Sequence, residues 1–473
     1  MDAPMSVNVD VAPKMAAVLA RKLEKQVVAL GWPVGNVLGS EAELLAQFNV
    51  SRAVLREAVR IVEHTGTAHM RRGPGGGLVV TEPNRSAITT SMSVWFSYVG
   101  VTVGEIFDAR IPLMLEVVRR AAQQRDVHAI EAILDRIADM DDSGDLDEEA
   151  FLDLDRRFIQ LSDNPAVTLF ADGISDLLAS RLRGTRARLN PALTETDARV
   201  HLHGYGRLAD SIMQGDEVGA PRRTARLLGA VRERMNDRPP RARRRPVQID
   251  GGSPKLAEQI AFEMRDYIER AGWPVDTVLG SEAEMIDRYG VSRAVLREAV
   301  RILEHEGALR TKRGPGGGLI VAAPNADAIV HAAGLALEYA RVSPAQLVDV
   351  RTALEVAAVH MSVARLTPEI AGGLTASIRE ERANGDRTVH LYQVHHEIAA
   401  AAGCRPLELF VRVLSELVTR QAQSDVTRGE DGKLTANTHH AHARVIEAII
   451  SGDAELAEKR LRRHLAAGIW LLH

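Results

Sequence analysis

The sequence has a single cysteine, Cys404, among 473 residues. An intramolecular disulfide is therefore impossible, and an oxidising compartment gains no support. No stretch approaches the roughly 18 uninterrupted apolar residues that a membrane helix needs, so no membrane partner is expected. The opening MDAPMSVNVDVAPK lacks a basic start followed by an apolar run and does not read as a secretory signal. A cytoplasmic location is the expectation. Nor is one sign of charge in large excess, since the formal net charge is −4. The basic balance common in nucleic-acid binders is missing, so local basic patches must carry any such role. What remains is an ordinary globular composition, 45% hydrophobic and 26% charged, long enough for roughly three or four domains.

The chain repeats itself. Residues 31–84 contain GWPV, VLGSEAE, VSRAVLREAVRI, RGPGGGL and a closing PN, and residues 272–325 contain all of these again. The offset is a constant 241 positions, with Gly272 against Gly31 and Ser292 against Ser51. That period is too long for a solenoid and implies duplication of a whole multi-domain unit. Between the copies lies NDRPPRARRRPVQIDGGSP, residues 236–254, poor in apolar residues and rich in Pro, Gly and Arg. It reads as a solvated linker, or as an Arg run that touches DNA phosphates. After each repeated block the periodicity is helical. Leu347, Val350, Leu354 and Ala358 recur at three- and four-residue spacings, as do Ile446, Ile449 and Ile450. Each copy is thus a small α/β head followed by an all-helical bundle.

The head is the informative part. Met15 to Leu30 reads as a helix stopped by Gly31–Trp32–Pro33. Ser40 with Glu43 three residues later is a capping box opening a short helix through Leu44, Leu45 and Phe48. Asn49–Val50 turns the chain, and Ser51 caps the next helix, with Val54, Leu55, Ala58, Ile61 and Val62 as its apolar stripe. Two short helices joined by a tight turn make a helix-turn-helix. Opposite the stripe, Arg52, Arg56 and Arg60 share one face, and copy two repeats them as Ser292, Arg293, Arg297 and Arg301. The first residues of such a helix meet base edges, and the Arg fork matches guanine O6 and N7 together. Next comes Met70 to Val80, a basic, glycine-rich turn leading into apolar strand residues. It suits the wing of a winged helix, with glycine letting the backbone approach a groove or phosphate. An Arg row alone is usually a solvated face. A glycine loop alone could cradle a nucleotide, but GPGGG lacks the Lys–Ser/Thr of a P-loop. The ordered set, present twice, is far more specific than its pieces.

LGSEAELLAQFNVSRAVLREAVRIVEHTG followed by RRGPGGG resembles the winged helix of the GntR family of bacterial regulators, and the helical remainder resembles the FCD ligand domain of its FadR subfamily. The fold this implies is mainly α, with two winged helix-turn-helix heads (12–84 and 255–325), each followed by an FCD-like bundle (88–235 and 328–473). By that resemblance Ser51, Arg52, Arg56, Arg60, Ser292, Arg293, Arg297 and Arg301 contact DNA through the recognition helices. Arg72–Gly73 and Arg313–Gly314 do so through the wings. Two positions depart from the family pattern. Ala42 and Ala283 stand where a basic residue is frequent, and Gly39 and Gly280 where proline is usual.

The same resemblance implies a divalent metal held by an Asp and three His, with a small carboxylate effector beside it. In the second bundle His395, His442 and His464 match the three His, which suits a zinc-like ion, while Leu391 stands at the Asp position with His390 next to it. Buried, hydrogen-bonded histidines around a metal-free pocket are the competing reading. Arg351 matches a pocket-side Arg that could pair an effector carboxylate, or it makes a salt bridge to Glu355. In the first bundle Asp155 matches the Asp, but Ile159 and Leu227 replace two His, and the other position falls on either His201 or Tyr205. The function expected is a DNA-binding regulator, more a repressor than an activator, bound to a double-stranded operator and controlled by a small effector. A metal-dependent enzyme using the second histidine cluster is the alternative. One chain then forms an intramolecular pseudo-dimer over its linker, which spans about 20–25 Å r.m.s., or two chains form a homodimer.

Overall fold

The computed structural model describes residues 15–73, 75–183, 195–236, 254–312, 314, 317–383, 392–424 and 431–467. The linker segment 237–253, the wing residue Arg313, and both His390 and Leu391 lie outside them. Head 1 comprises α1 (Met15–Ala29), α2 (Glu41–Phe48), α3 (Arg52–His64), β1 (Ala68–Arg71) and β2 (Gly77–Val80). A helix α4 (Arg85–Tyr98) leads into the first bundle, α5 (Val103–Gln124), α6 (Val127–Ser143), α7 (Glu148–Gln160), α8 (Pro165–Arg183), α9 (Glu195–Met213) and α10 (Gly219–Asn236). Head 2 comprises α11 (Pro254–Arg270), β3 (Val278–Gly280), α12 (Glu282–Tyr289), α13 (Arg293–His305), β4 (Leu309–Lys312) and β5 (Gly318–Val321). Then α14 (Ala326–Tyr339) leads into the second bundle, α15 (Pro344–Ala364), α16 (Pro368–Ala383), α17 (Gln393–Ala401), α18 (Arg405–Ser424), α19 (Asp431–Ile450) and α20 (Ala454–Ala467).

Local chemistry explains the heads. Ser40 and Ser281 close capping boxes with Glu43 and Glu284, satisfying donors at both ends of the box. The residue ending that helix is left-handed in both heads, Asn49 at φ +49° and Gly290 at φ +63°, and these are the residue types that tolerate it. The wings are antiparallel hairpins, Ala68–Arg71 on Gly77–Val80 and Leu309–Lys312 on Gly318–Val321. Head 2 adds β3 as a third strand, whereas head 1 has only an isolated bridge from Val37 to Val79. Gly280, at φ +153°, explains the absent proline, whose ring fixes φ near −65°. The wing glycines serve packing: a Cβ on Gly76 would lie 2.3 Å from the Arg71 carbonyl, and one on Gly77 2.5 Å from the Gly39 carbonyl.

The chain divides into two compact units. The first combines Met1–Arg85 with His331–Arg341, so head 1 packs on the C-terminal part of α14. Val27, Trp32, Val80 and Leu335 form one buried cluster there, and the Trp32 and Tyr339 rings lie 5.2 Å apart. The second unit holds both bundles and head 2, which packs on α4. Val94 belongs to the core of head 2, and Tyr98 sits 5.7 Å from Trp273. Each head therefore rests on the helix that leads into the bundle of the other half.

Inside the second unit the two bundles meet along α5 and α15. Phe170 and Phe410 stack with centroids 4.4 Å apart, and Asn164 Nδ2 donates to the Gln346 carbonyl at 2.9 Å. Arg405 Nε donates to Glu105 Oε1 at 2.7 Å, and Arg120 pairs with Asp349. Burial works against the charge on Glu105, but Arg405 and Thr102 outweigh it and hold its carboxyl at about 2. The apolar rows expected of the second bundle are largely inside: Leu347, Val350, Leu354, Ala358, Ile446 and Ile449 are buried, but Ile450 is exposed. The row there is narrower than the sequence suggests, because Ile450 ends α19 beyond the last turn covered.

Candidate functional site

The recognition helices expose the expected face. Leu55, Ala58 and Val62 are buried, while Arg52, Arg56 and Arg60 are exposed, and the same split separates Leu296, Ala299 and Leu303 from Arg293, Arg297 and Arg301. Ser51 and Ser292 cap the helices, each accepting from the backbone N–H three residues on. The N-terminal ends of both helices, which carry the first Arg of each row, are thereby capped. Arg72 and Gly73 lie exposed at the first wing tip, and Gly314 at the second. Arg71 Nη2 donates to the Gly75 carbonyl at 2.9 Å and closes the first wing. The Arg rows of the two heads differ in their acidic neighbours. Arg297 and Arg293 approach Glu282 Oε1 at 3.0 and 3.5 Å, while among the described residues Arg52 and Arg56 have no such ion pair.

In the second bundle α17, α19 and α20 bring His395, His442 and His464 together. Their Nε2 atoms form a triangle with sides of 3.0, 3.1 and 3.3 Å. His395 Nδ1 lies 2.5 Å from Glu355 Oε2, and His442 Nδ1 lies 2.6 Å from Glu381 Oε1. Those carboxylates assign the protons of both rings to Nδ1, which leaves Nε2 lone pairs facing a common centre. Burial, and then the neighbouring His442 and His395, depress His464 well below the usual histidine range. Burial likewise pushes His442 down to about 4 despite Glu381. Unprotonated imidazoles whose lone pairs converge repel one another unless a cation lies between them. Nitrogens 2.0–2.1 Å from one ion at tetrahedral to octahedral angles are roughly 2.9–3.4 Å apart, so the triangle fits a zinc-sized ion.

Both readings of Arg351 hold part of the geometry. Its Nε donates to Glu355 Oε1 at 2.7 Å, while Nη2 is buried and has no hydrogen-bond partner among the described residues. Glu355 is desolvated, yet Arg351 and His395 keep its carboxyl far below the ordinary range. Glu355 and Glu381 are absent from the sequence-level site. Glu355 was visible only as a helical neighbour of Arg351, and nothing in REERA distinguishes Glu381 from a surface acid.

The first bundle fills the corresponding place with its own side chains. Arg110, which matches Arg351 at the 241-residue offset, pairs with Asp155. Tyr205 donates to Asp155 Oδ1 at 2.6 Å, and all three are buried. Of His201 and Tyr205, it is Tyr205 that reaches Asp155, whereas the His201 ring lies edge-on to Tyr205 with centroids 5.2 Å apart. Ile159 is buried where a ligand would be needed. Burial and the adjacent Asp155 push the Tyr205 hydroxyl well above its usual range, so it stays a donor.

A family model for the FCD domain matches residues 105–230 and again 346–467. A model described as bacterial regulatory proteins, gntR family, matches 256–318. Among curated proteins the chain is 24% identical over 219 residues to the Exu regulon transcriptional regulator of Escherichia coli strain K12, covering 45% of this chain and 82% of that protein. It is 28% identical over 155 residues to the HTH-type transcriptional regulator LutR of Bacillus subtilis strain 168, covering 32% and 70%. It is 24% identical over 220 residues to the HTH-type transcriptional repressor NanR of Cronobacter sakazakii, covering 45% and 83%. Of solved structures, Streptococcus agalactiae GntR is 19% identical, covering 45% of this chain and 99% of that one at a TM-score of 0.35. These relatives are regulators, and the enzymatic alternative finds no support among them.

Proposed function

The chain belongs to the GntR family of bacterial regulatory proteins, with FCD domains, and is a DNA-binding transcriptional regulator rather than an enzyme; from that premise we propose that it is a tandemly duplicated FadR-type repressor in which a single chain supplies both reading heads. The observation that carries this reading is the pair of capped helices bearing the same exposed Arg row, Arg52, Arg56 and Arg60 against Arg293, Arg297 and Arg301. Each Arg–guanine fork would contribute roughly 1–3 kcal/mol of base discrimination. The wings, through Arg72–Gly73 and Arg313–Gly314, would hold the flanking backbone. The bundle contact along α5 and α15 supports an intramolecular pseudo-dimer, because it joins the two ligand bundles within one chain.

His395, His442 and His464 would hold one divalent, zinc-like cation, with Glu355 and Glu381 fixing two of the rings. Such an ion supplies Lewis acidity and open positions for an anionic ligand. The unpartnered Nη2 of Arg351 favours a small carboxylate effector, since a guanidinium edge binds a carboxylate in a charge-assisted pair. Arg110–Asp155–Tyr205 leaves no free polar edge of that kind among the described residues of the first bundle, which favours effector control through the second. Sequencing the DNA fragments retained by the purified protein gives the operator. Two inverted, nearly identical half-sites occupied by one chain, as mass from light scattering, support the reading. An obligate two-chain complex refutes the pseudo-dimer.

A further inference from the structure

The two head-bracing contacts are built from matching positions, yet their residues differ in a complementary way. On head 1, Val27, Trp32 and Val80 meet Leu335 and Tyr339 of α14. On head 2, Ile268, Trp273 and Val321 meet Val94 and Tyr98 of α4. At the 241-residue offset Trp matches Trp, Val80 matches Val321 and Tyr matches Tyr; the two positions that change, among those five, do so in opposite directions. The smaller Val27 faces the larger Leu335, and the larger Ile268 shares its cluster with the smaller Val94. Each observed pair thus contains one Val and one longer residue. Docking each head on its own following helix would combine Val27 with Val94, one methylene short, and Ile268 with Leu335, one methylene over. All four side chains are at most 2% exposed, so neither misfit could relax into solvent.

A polar contrast lies alongside. Glu24, 1% exposed, accepts from Thr65 Oγ1 at 3.1 Å and lies 2.7 Å from His331 Nε2 of α14. The matching residues of head 2 are Arg265 and Glu306, which pair with each other, and the matching residue of α4 is Thr90. Head 1 on α4 would leave the buried Glu24 carboxylate facing a threonine. Head 2 on α14 would place the Arg265 guanidinium where His331 now finds an acid.

We propose that these residues are a docking key: Val27–Leu335 with Glu24–His331 commits head 1 to the helix of the second half, and Ile268–Val94 with Arg265–Glu306 commits head 2 to the helix of the first. The duplicated chain needs such a key, because two nearly identical heads and two similar helices otherwise offer two pairings. Crossed pairing makes α14, which runs directly into the Arg351-bearing α15, the support of the N-terminal head.

The test is a pair of substitutions in the full chain, read by melting and without DNA or effector, so its outcome is independent of the regulatory reading. Val27→Ile should lower the midpoint by at least about 2 °C, because it overfills the pocket against Leu335. Adding Leu335→Val should restore it, whereas adding Val94→Leu should not. In the polar arm, Glu24→Ala and His331→Ala should together cost clearly less than the sum of the single losses. A neutral or stabilising Val27→Ile would overturn the key, since that is the result expected if Val27 faced Val94. Rescue by Val94→Leu rather than Leu335→Val, or additivity of the polar pair, would overturn it equally.

Discussion

Replacing Glu381 by Gln probes whether the histidine triangle holds a cation. Glu381 is 1% exposed, and its Oε1 lies 2.6 Å from His442 Nδ1. Glutamine keeps an oxygen of the same reach and removes the negative charge that strengthens the ring as a ligand. The three Nε2 atoms stay in place, so the ion is weakened rather than expelled. Outer partners of this kind are worth about 10–100-fold in metal affinity, roughly 1.4–2.7 kcal/mol. The measurement is elemental analysis after chelation and zinc reconstitution, followed by competition against a chromophoric chelator. One zinc per chain is expected for the unaltered protein, with 10–100-fold weaker retention in Glu381→Gln. Replacing His442 itself by Ala should reduce retention further still. Two zincs per chain would refute the asymmetry argued from Ile159 and from Arg110–Asp155–Tyr205. No zinc after reconstitution would refute the metal reading and leave a metal-free pocket.

Arg52→Ala with Arg56→Ala should lower operator affinity by roughly 2–6 kcal/mol, from two guanine forks; unchanged affinity in a titration at fixed salt would make head 1 a relic. Arg293→Ala with Arg297→Ala should cost somewhat less, because binding there first displaces Glu282, an exposed pairing worth at most about 1 kcal/mol. Metal-free protein should lose stability as pH falls through the histidine range: burial holds His442 and His396 neutral down to about 4, while an unfolded histidine protonates near 6.5. The unfolded chain then binds more protons between those values, at a cost on the order of 3 kcal/mol for each ring, and a flat denaturation profile from about pH 7 to about 4 would contradict it. If α14 transmits the state of the second bundle, effector should release the half-site read by head 1 before that read by head 2; a footprint that clears both together would reject that route.

The sequence made the heads legible because their chemistry is local. A capping box is a Ser and a Glu three residues apart, a left-handed helix end is an Asn or Gly, and an Arg row opposite an apolar stripe is a matter of period. Each of these reads off neighbouring residues and reappears in the coordinates at Ser40, Asn49 and Arg52–Arg56. The three clustered histidines were legible for a different reason: they stand at spacings that resemble those of a known bundle. Their carboxylate partners were not. Glu355 and Glu381 come from α15 and α16, 40 and 61 residues from the rings they orient, and a surface acid and a buried one look alike in a string. The third strand of head 2 was equally hidden, since Val278–Gly280 has the same sequence as Val37–Gly39.

The crossed docking of the heads is the deepest of these omissions, and its cause is specific. Hydrophobic periodicity shows that Val94 and Leu335 each need a partner, but both heads offer the same Trp and Val, and both receiving helices the same Tyr. Discrimination rests on one methylene at position 27 against 268 and another at 94 against 335, together with the exchange of Glu24 for Arg265. Read along one copy, each of these is an unremarkable apolar or surface residue. Only when the four side chains are seen buried in two clusters does the compensating pattern acquire a meaning. In a chain with two similar repeats, the likeness between them reveals the fold, whereas a pairing rule must be sought in their differences. The same logic applies to the ligand bundles. Arg110 and Arg351 are equivalent in the string, yet Arg110 pairs with an Asp155 that Tyr205 also engages, while Arg351 keeps a buried Nη2 with no partner among the described residues. The differences between the two repeats that matter most thus lie at positions that alter what a buried group faces.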